Sequence, residues 1–278
     1  MVKIMCRIAG FKVSEPRYLN YILYSFSYIS LIDLYLPIKT PSVHGHVDGW
    51  GLGVCDARGV FINMKACRPF YLDVQRVQRI LTNMEFPLMG LLHIRRASVD
   101  QPICLVHAHP YICEVNGSIL LMAHNGGINK ELVKERYKLT IDANKVTDSY
   151  IYFYLILESY KRRGNLVDAI EDVVKELVSM GAVVFKTKGS SRATSLNAVL
   201  MLINGDKCSI YIVEDWRIFS GELRKYYEMY SLSKDDNLVI CSSSIADKLR
   251  QHGFEFFEPK VEREIKVNDR VIKVLSIS

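Results

Sequence analysis

The short apolar run 4–11 predicts a strand. Glu15-Pro16 then offers a helix start with Ser14 as candidate N-cap, and the apolar run continues to about Leu36 before Pro37 stops it. Nearly every face of that helix is apolar or aromatic, which predicts burial between layers. Strands are expected at Trp50–Asp56 and Val60–Lys65, turning at Ala57-Arg58-Gly59. Leu72, Val74, Val77, Ile80 and Leu81 have helical spacing within Tyr71–Met84. Leu88–Arg95 reads as a strand ending in charge, and Ser118–His124 as a strand running into Asn125-Gly126-Gly127. Helices are predicted at Asp148–Arg163 and Leu166–Met180. From there the pattern is almost wholly β: Leu196–Ile203 and Lys207–Val213 flank the hairpin dipeptide Asn204-Gly205. Leu238–Ser242 follows as a strand, Ile245–His252 as a short helix, and Arg263–Val267 with Arg270–Leu275 as a second hairpin about Asn268-Asp269.

Strands joined by hairpins, with helices in separate blocks, predict an α+β fold of stacked antiparallel sheets rather than a βαβ wind. No repeat or linker divides the chain, so residues 1–278 are read as one domain, with a core over 6–220 and a strand-and-hairpin extension over 221–278. The composition, 49% hydrophobic and 24% charged, is that of an ordinary globule. A net charge of +6 from scattered cations, with Lys161-Arg162-Arg163 the one tight cluster, gives no nucleic-acid footprint. Seven cysteines without Cys-x-x-Cys spacing argue for a reducing, cytoplasmic setting. Tyr18 to Ile32 is uncharged but short for a bilayer span, so no membrane partner is expected.

The candidate chemistry begins at Met5-Cys6-Arg7-Ile8-Ala9-Gly10-Phe11. A cysteine directly after methionine suggests a nucleophile that becomes the first residue of the mature chain. Its own α-amine, titrating near ~8, would then stand beside a thiol of ~8.5 as general base. Four further segments combine polar groups with glycine or with a strand end. His46-Val47-Asp48-Gly49-Trp50-Gly51 implies tight backbone geometry. In His93-Ile94-Arg95-Arg96-Ala97-Ser98, an arginine leaving a strand can hold a carboxylate bidentately. His107-Ala108-His109-Pro110-Tyr111 is a polar turn entering a strand. In Ala123-His124-Asn125-Gly126-Gly127, an asparagine amide beside a glycine N–H is a natural pair of oxyanion donors.

Taken together and in this order, the segments resemble class II glutamine amidotransferases of the stand-alone type, a branch of the N-terminal nucleophile (Ntn) hydrolases. Cys6 to Gly10 is similar to the family's start, and His46 to Gly51 resembles its His-Pro-Asp-Gly-Trp-Gly. Ala108 to Tyr111 resembles its Thr-His-Pro-Phe turn, and His124-Asn125-Gly126 its oxyanion loop. Thr147-Asp148-Ser149 resembles the segment whose aspartate holds the substrate's α-amine. The resemblance implies a four-layer αββα sandwich without a cofactor. It implies Cys6 as nucleophile, Asn125 and Gly126 as oxyanion donors, and Arg95 and Asp148 on the substrate's α-carboxylate and α-ammonium. Ser98 and His109 are implied as further substrate contacts, and His46, Asp48, Gly49 and Trp50 as a structural loop near the site. Ser98 and Val99 stand where the family has threonine and histidine, and Tyr150 stands where glutamate is common. The implied substrate is glutamine or a γ-glutamyl amide, with a separate ammonia-accepting subunit as a possible partner.

Residues 1–5 precede the nucleophile and are expected to be a mis-assigned start or a removable leader. Left in place, they would block Cys6 and make the chain a silent ligand-binding or scaffold subunit. A second alternative is a metal-dependent hydrolase using His44, His46 and Asp48, whose spacing suits metal ligation although Gly49 follows where another histidine would be needed.

Overall fold

The sequence 7–13 alternates its contacts as a strand between two layers must: Ala9, Phe11 and Val13 enter one apolar cluster and Ile8 another. The structure, a computed structural model, describes residues 6–38, 41–98, 103–140, 145–187 and 190–277. In chain order, β1 (Arg7–Val13) leads to α1 (Pro16–Leu31), then to the β2 (Trp50–Cys55) and β3 (Phe61–Ala66) pair. There follow α2 (Val74–Leu81), β4 (Leu88–Ile94), β5 (Tyr111–Val115), β6 (Ser118–Gly126) and α3 (Lys130–Tyr137). Two long helices, α4 (Asp148–Arg163) and α5 (Leu166–Ser179), precede the small hairpin β7 (Val184–Thr187) and β8 (Ser190–Ala193). The chain continues through β9 (Leu196–Asn204), β10 (Lys207–Glu214), α6 (Gly221–Tyr227), β11 (Met229–Lys234), β12 (Asn237–Ser242) and α7 (Ser243–Arg250). It closes with β13 (Glu255–Phe256), β14 (Lys260–Val267) and β15 (Arg270–Ile277).

Among the described residues, one sheet has the order β13-β11-β12-β1-β4-β2-β3 and a second the order β14-β15-β10-β9-β6-β5. The sheets stack face to face through Ile8, Leu91, Leu121, Val199, Ile210 and Ile240. Helices α1, α2 and α7 cover the outer face of the first sheet, and α4 and α5 the outer face of the second. This is a four-layer αββα sandwich with antiparallel sheets, as expected. Residues beyond 220 supply strands to both sheets: β12 lies between β1 and β11, and β15 between β14 and β10.

The span Pro16–Ile38 is long and apolar enough to cross a membrane by length and composition alone. Its helix proper has 16 residues, and Leu19, Ile22, Leu23 and Phe26 are fully buried in the cluster against the first sheet. The predicted continuation to Leu36 does not occur. Ile32 turns to extended backbone (φ −139°, ψ 118°), and Asp33 leaves the helix to meet a buried cation. Ser14 is not the cap either. Glu15 occupies that position, and the Ser14 N–H and hydroxyl both donate to Asn237 Oδ1. Sequence patterning missed α3, whose single buried residue is Val133, and α6, with only Tyr226 and Tyr227 buried. Neither has a continuous apolar stripe to announce it.

Candidate active site

Strand pairing converges several distant segments on one end of the sandwich. Arg7 and Trp50 both pair with Ile94, which sets Cys6, the 46–49 loop and Arg95 side by side. The Arg95 N–H donates to Gly49 O at 2.7 Å, and the Asp48 N–H donates to Arg95 O at 3.1 Å. The Asp48 carboxylate accepts from the Ala97 N–H at 2.8 Å, fixing the chain as it leaves β4. In the second sheet, Asn125 and Gly126 end β6 opposite Asn197 and Leu196. A Cβ at Gly126 would lie 1.7 Å from Ser195 O, so only glycine allows this close pass.

Asp148 starts α4 behind the N-cap Thr147, whose hydroxyl accepts from the Tyr150 N–H. Its carboxylate accepts from the Ile128 and Ser149 N–H groups at 3.2 and 2.9 Å, tying the helix start to the chain leaving β6. Tyr111 and Thr147 join through their hydroxyls. Gly51 lets the His109 carbonyl lie against β2, since a Cβ there would be 1.8 Å from that oxygen.

The result is a cleft of about 450 Å³, including its open mouth, lined by Cys6, Arg95, Ser98, His109, Gly126 and Asp148. Arg96, His107, Thr147 and Ser149 also reach it. Asn125 adjoins the cleft without lining it. It lies on the strand face turned to the opposite sheet, buried, with Oδ1 lacking a hydrogen-bond partner. His124 points the other way, with Nδ1 2.9 Å from Ser149 Oγ.

The 46–50 segment serves the frame rather than the cleft wall. His46 Nε2 lies 2.8 Å from Asp33 Oδ2, and Trp50 Nε1 donates to Asp73 Oδ2 at 2.9 Å in the helical layer. His44 is exposed, so the His44, His46 and Asp48 side chains have separate surroundings. Among the described residues no three histidine, cysteine or acidic side chains converge as a metal-binding group. Val99 and residues 1–5, which the sequence singled out, lie outside the described residues.

Sequence reading missed the pair behind the thiol. Arg7 Nε donates to Asp33 Oδ2 at 2.6 Å, and Arg7 Nη1 donates to Tyr226 O at 3.0 Å. The signal was present: Arg7 interrupts an apolar run, and Asp33 is the one charged residue between Tyr18 and Leu36. Burial alone would raise the Asp33 carboxyl, but Arg7 and His46 outweigh it and hold Asp33 well below the usual carboxylate range. Burial pushes the Cys6 thiol up to about 11 against the pull of the Arg95 cation, so near neutrality it keeps its proton unless a base takes it. The buried His93 and His109 rings, 4.2 Å apart, are driven well below the usual histidine range by burial, with neighbouring cationic groups adding to the effect.

The two stacked antiparallel sheets under helices define an α+β sandwich, with Cys6 at the head of the central strand β1. The description "Glutamine amidotransferases class-II" matches residues 31–204, a span that includes Arg95, Asn125 and Asp148. The chain belongs to that family. A Haemophilus influenzae protein provisionally described as a glutamine amidotransferase is 24% identical over 189 residues, covering 65% of this chain and 59% of that protein. The glutamine phosphoribosylpyrophosphate amidotransferase of B. subtilis, solved with ADP and GMP, superposes with a TM-score of 0.56 at 17% identity, covering 97% of this chain and 48% of that one. A structure described as the allosteric regulatory enzyme of purine biosynthesis gives 0.55 at 15% identity, covering 98% and 48%. The chain thus spans roughly half to three-fifths of the length of these relatives.

Proposed function

We propose that this chain hydrolyses the γ-amide of glutamine, or of a γ-glutamyl compound, through a thioester on Cys6. In this reading residues 1–5 are lost and Cys6 becomes the mature N-terminus. The freed α-amine takes the thiol proton and the sulfur attacks the amide carbon. The tetrahedral oxyanion is met by the Asn125 amide and the Gly126 N–H, after Asn125 turns its NH₂ toward the cleft. Collapse breaks the C–N bond, the leaving nitrogen takes the proton from the α-amine, and ammonia or an amine departs. Water, or an acceptor, then cleaves the thioester. Arg95 grips the α-carboxylate bidentately and Asp148 the α-ammonium, a cation and an anion matched to a zwitterionic head.

The observation that carries this reading is the convergence of Cys6, Arg95, Gly126 and Asp148, from four separate stretches of chain, on one cleft. The high thiol pKa supports the need for a freed amine: with Met5 still attached, an amide stands where the base should be and the thiol stays protonated. The unprocessed chain is therefore assigned the silent state. In this reading residues 1–278 act as one domain in the cytoplasm. The test is ammonia release from L-glutamine by protein whose N-terminus is Cys6. Activity abolished by Cys6→Ala supports the reading, and release that survives this substitution overturns it.

A further inference from the structure

Two cysteines unused by the Cys6 chemistry meet at the opposite end of the sandwich. Cys55 and Lys12 both pair with Met89, whereas Trp50 and Arg7 pair with Ile94, so Cys55 lies about 17 Å along the sheet from the thiol end. In the second sheet Cys208 pairs with Ile203, which pairs in turn with Ile119, far along β6 from Gly126. The turn after Cys55 abuts the β9–β10 turn: a Cβ on Gly59 would lie 3.0 Å from Asp206 Cα and 3.2 Å from Gly205 O. Both cysteines pack into the apolar cluster between the sheets, Cys55 fully buried and Cys208 partly so. The Cys55 thiol donates to the neighbouring Asp56 O at 3.6 Å, and Cys208 stands close enough for the two thiols to shift each other's titration.

We propose that Cys55 and Cys208 form a reversible disulfide that staples one sheet to the other, made by exchange with a low-molecular-weight disulfide. The accessible Cys208 releases its proton to solvent and attacks one sulfur of the small disulfide. That S–S bond breaks and one small thiolate leaves, taking up a proton. Cys55 then gives up its proton and attacks Cys208 Sγ, the mixed disulfide breaks, and the second small thiolate leaves. The protein loses two hydrogens and is oxidised, and the small disulfide is reduced to two thiols. Exposure sets the order, since a small disulfide reaches the partly exposed Cys208 and not the buried Cys55; Cys55 and burial hold the Cys208 thiol up, so alkaline solution is needed to free its thiolate. The new bond closes a loop of roughly 150 residues, in the range where a cross-link constrains the unfolded chain most.

The test uses the full chain, treated with bis(2-hydroxyethyl) disulfide, alkylated, and mapped by mass spectrometry without reduction. A peptide pair joining Cys55 to Cys208 is expected, with a Tm higher by about 5–10 °C that dithiothreitol abolishes. Cys208→Ser, at the partly exposed position, should fold and show none of this gain, even if Cys55→Ser proves unstable. An unresolved adduct on Cys208, a link through another pair such as Cys67 and Cys104, or a 55–208 link without a rise in Tm overturns the proposal. Glutaminase activity does not enter the readout, so the inference stands or falls apart from the reading of Cys6.

Discussion

Arg7 and Asp33 meet at 2.6 Å with neither side chain exposed, one residue behind Cys6. The carboxylate also accepts from the Tyr35 N–H at 3.0 Å and the Ser244 hydroxyl at 3.2 Å, so it joins β1, the end of α1 and α7. Removing one member of a buried pair leaves the other charge uncompensated, at a cost of about 3–5 kcal/mol. Asp33→Asn should therefore lower the free energy of unfolding by that amount, read as a lower urea midpoint at an unchanged m-value. A loss under 1 kcal/mol would mean that the pair contributes little to the frame.

The adjacent, mutually tilted His93 and His109 rings make stability depend on pH. Both ring nitrogens of each lack hydrogen-bond partners, and both groups titrate lower in the fold than the ~6.5 of an unfolded histidine. Their contribution is full above that unfolded value and is lost as pH falls toward the lowered folded values. Below about pH 6 the unfolded chain binds two more protons at these sites, so stability should drop by about 2.7 kcal/mol per pH unit from the pair. His93→Leu should roughly halve that slope between pH 6 and 5 in chemical unfolding, and an unchanged slope would remove the pair as its source.

Two glycines in β2 should respond differently to alanine. At Gly51 the new Cβ meets backbone, the His109 carbonyl at 1.8 Å, whereas at Gly53 it meets the side-chain end Leu121 Cδ2 at 2.6 Å. Backbone cannot yield as a leucine methyl can. Gly51→Ala is expected to prevent soluble expression or cost over about 3 kcal/mol, and Gly53→Ala about 1–3 kcal/mol. Equal melting temperatures for the two variants would contradict the close pass at His109.

Substrate kinetics separate binding from oxyanion stabilisation. Arg95→Lys keeps the charge but loses the fork, and should lower kcat/KM for glutamine by about 10–100-fold, mainly through KM. Asn125→Ala should lower kcat by about 10²–10³-fold with little change in KM. A large KM effect at Asn125 would assign it to binding instead.

The layers of this fold were legible because strands such as β9 and β10 are bounded by strong turn chemistry: Asn204-Gly205 predicts the hairpin, and Gly205 adopts φ +61°. The candidate cleft was legible because its residues sit in short polar and glycine segments at strand ends. What stayed hidden depends on contacts distant in sequence. Nothing local to Asp33 states that Arg7 and His46 lie across from it, and nothing local to Ser14 directs it to Asn237 rather than to the helix. Likewise, the polar α3 forms through the Asn129 side-chain cap and a single buried valine, which no periodicity marks.

Intact mass of natively expressed protein, joined to mapping of the site labelled by a glutamine-like diazoketone, tests the role of Cys6 most directly. The account predicts a chain beginning at Cys6 that carries one label on that sulfur and loses glutaminase activity as the label is taken up. A fully active chain that still retains Met5, or a label on another residue, would contradict it.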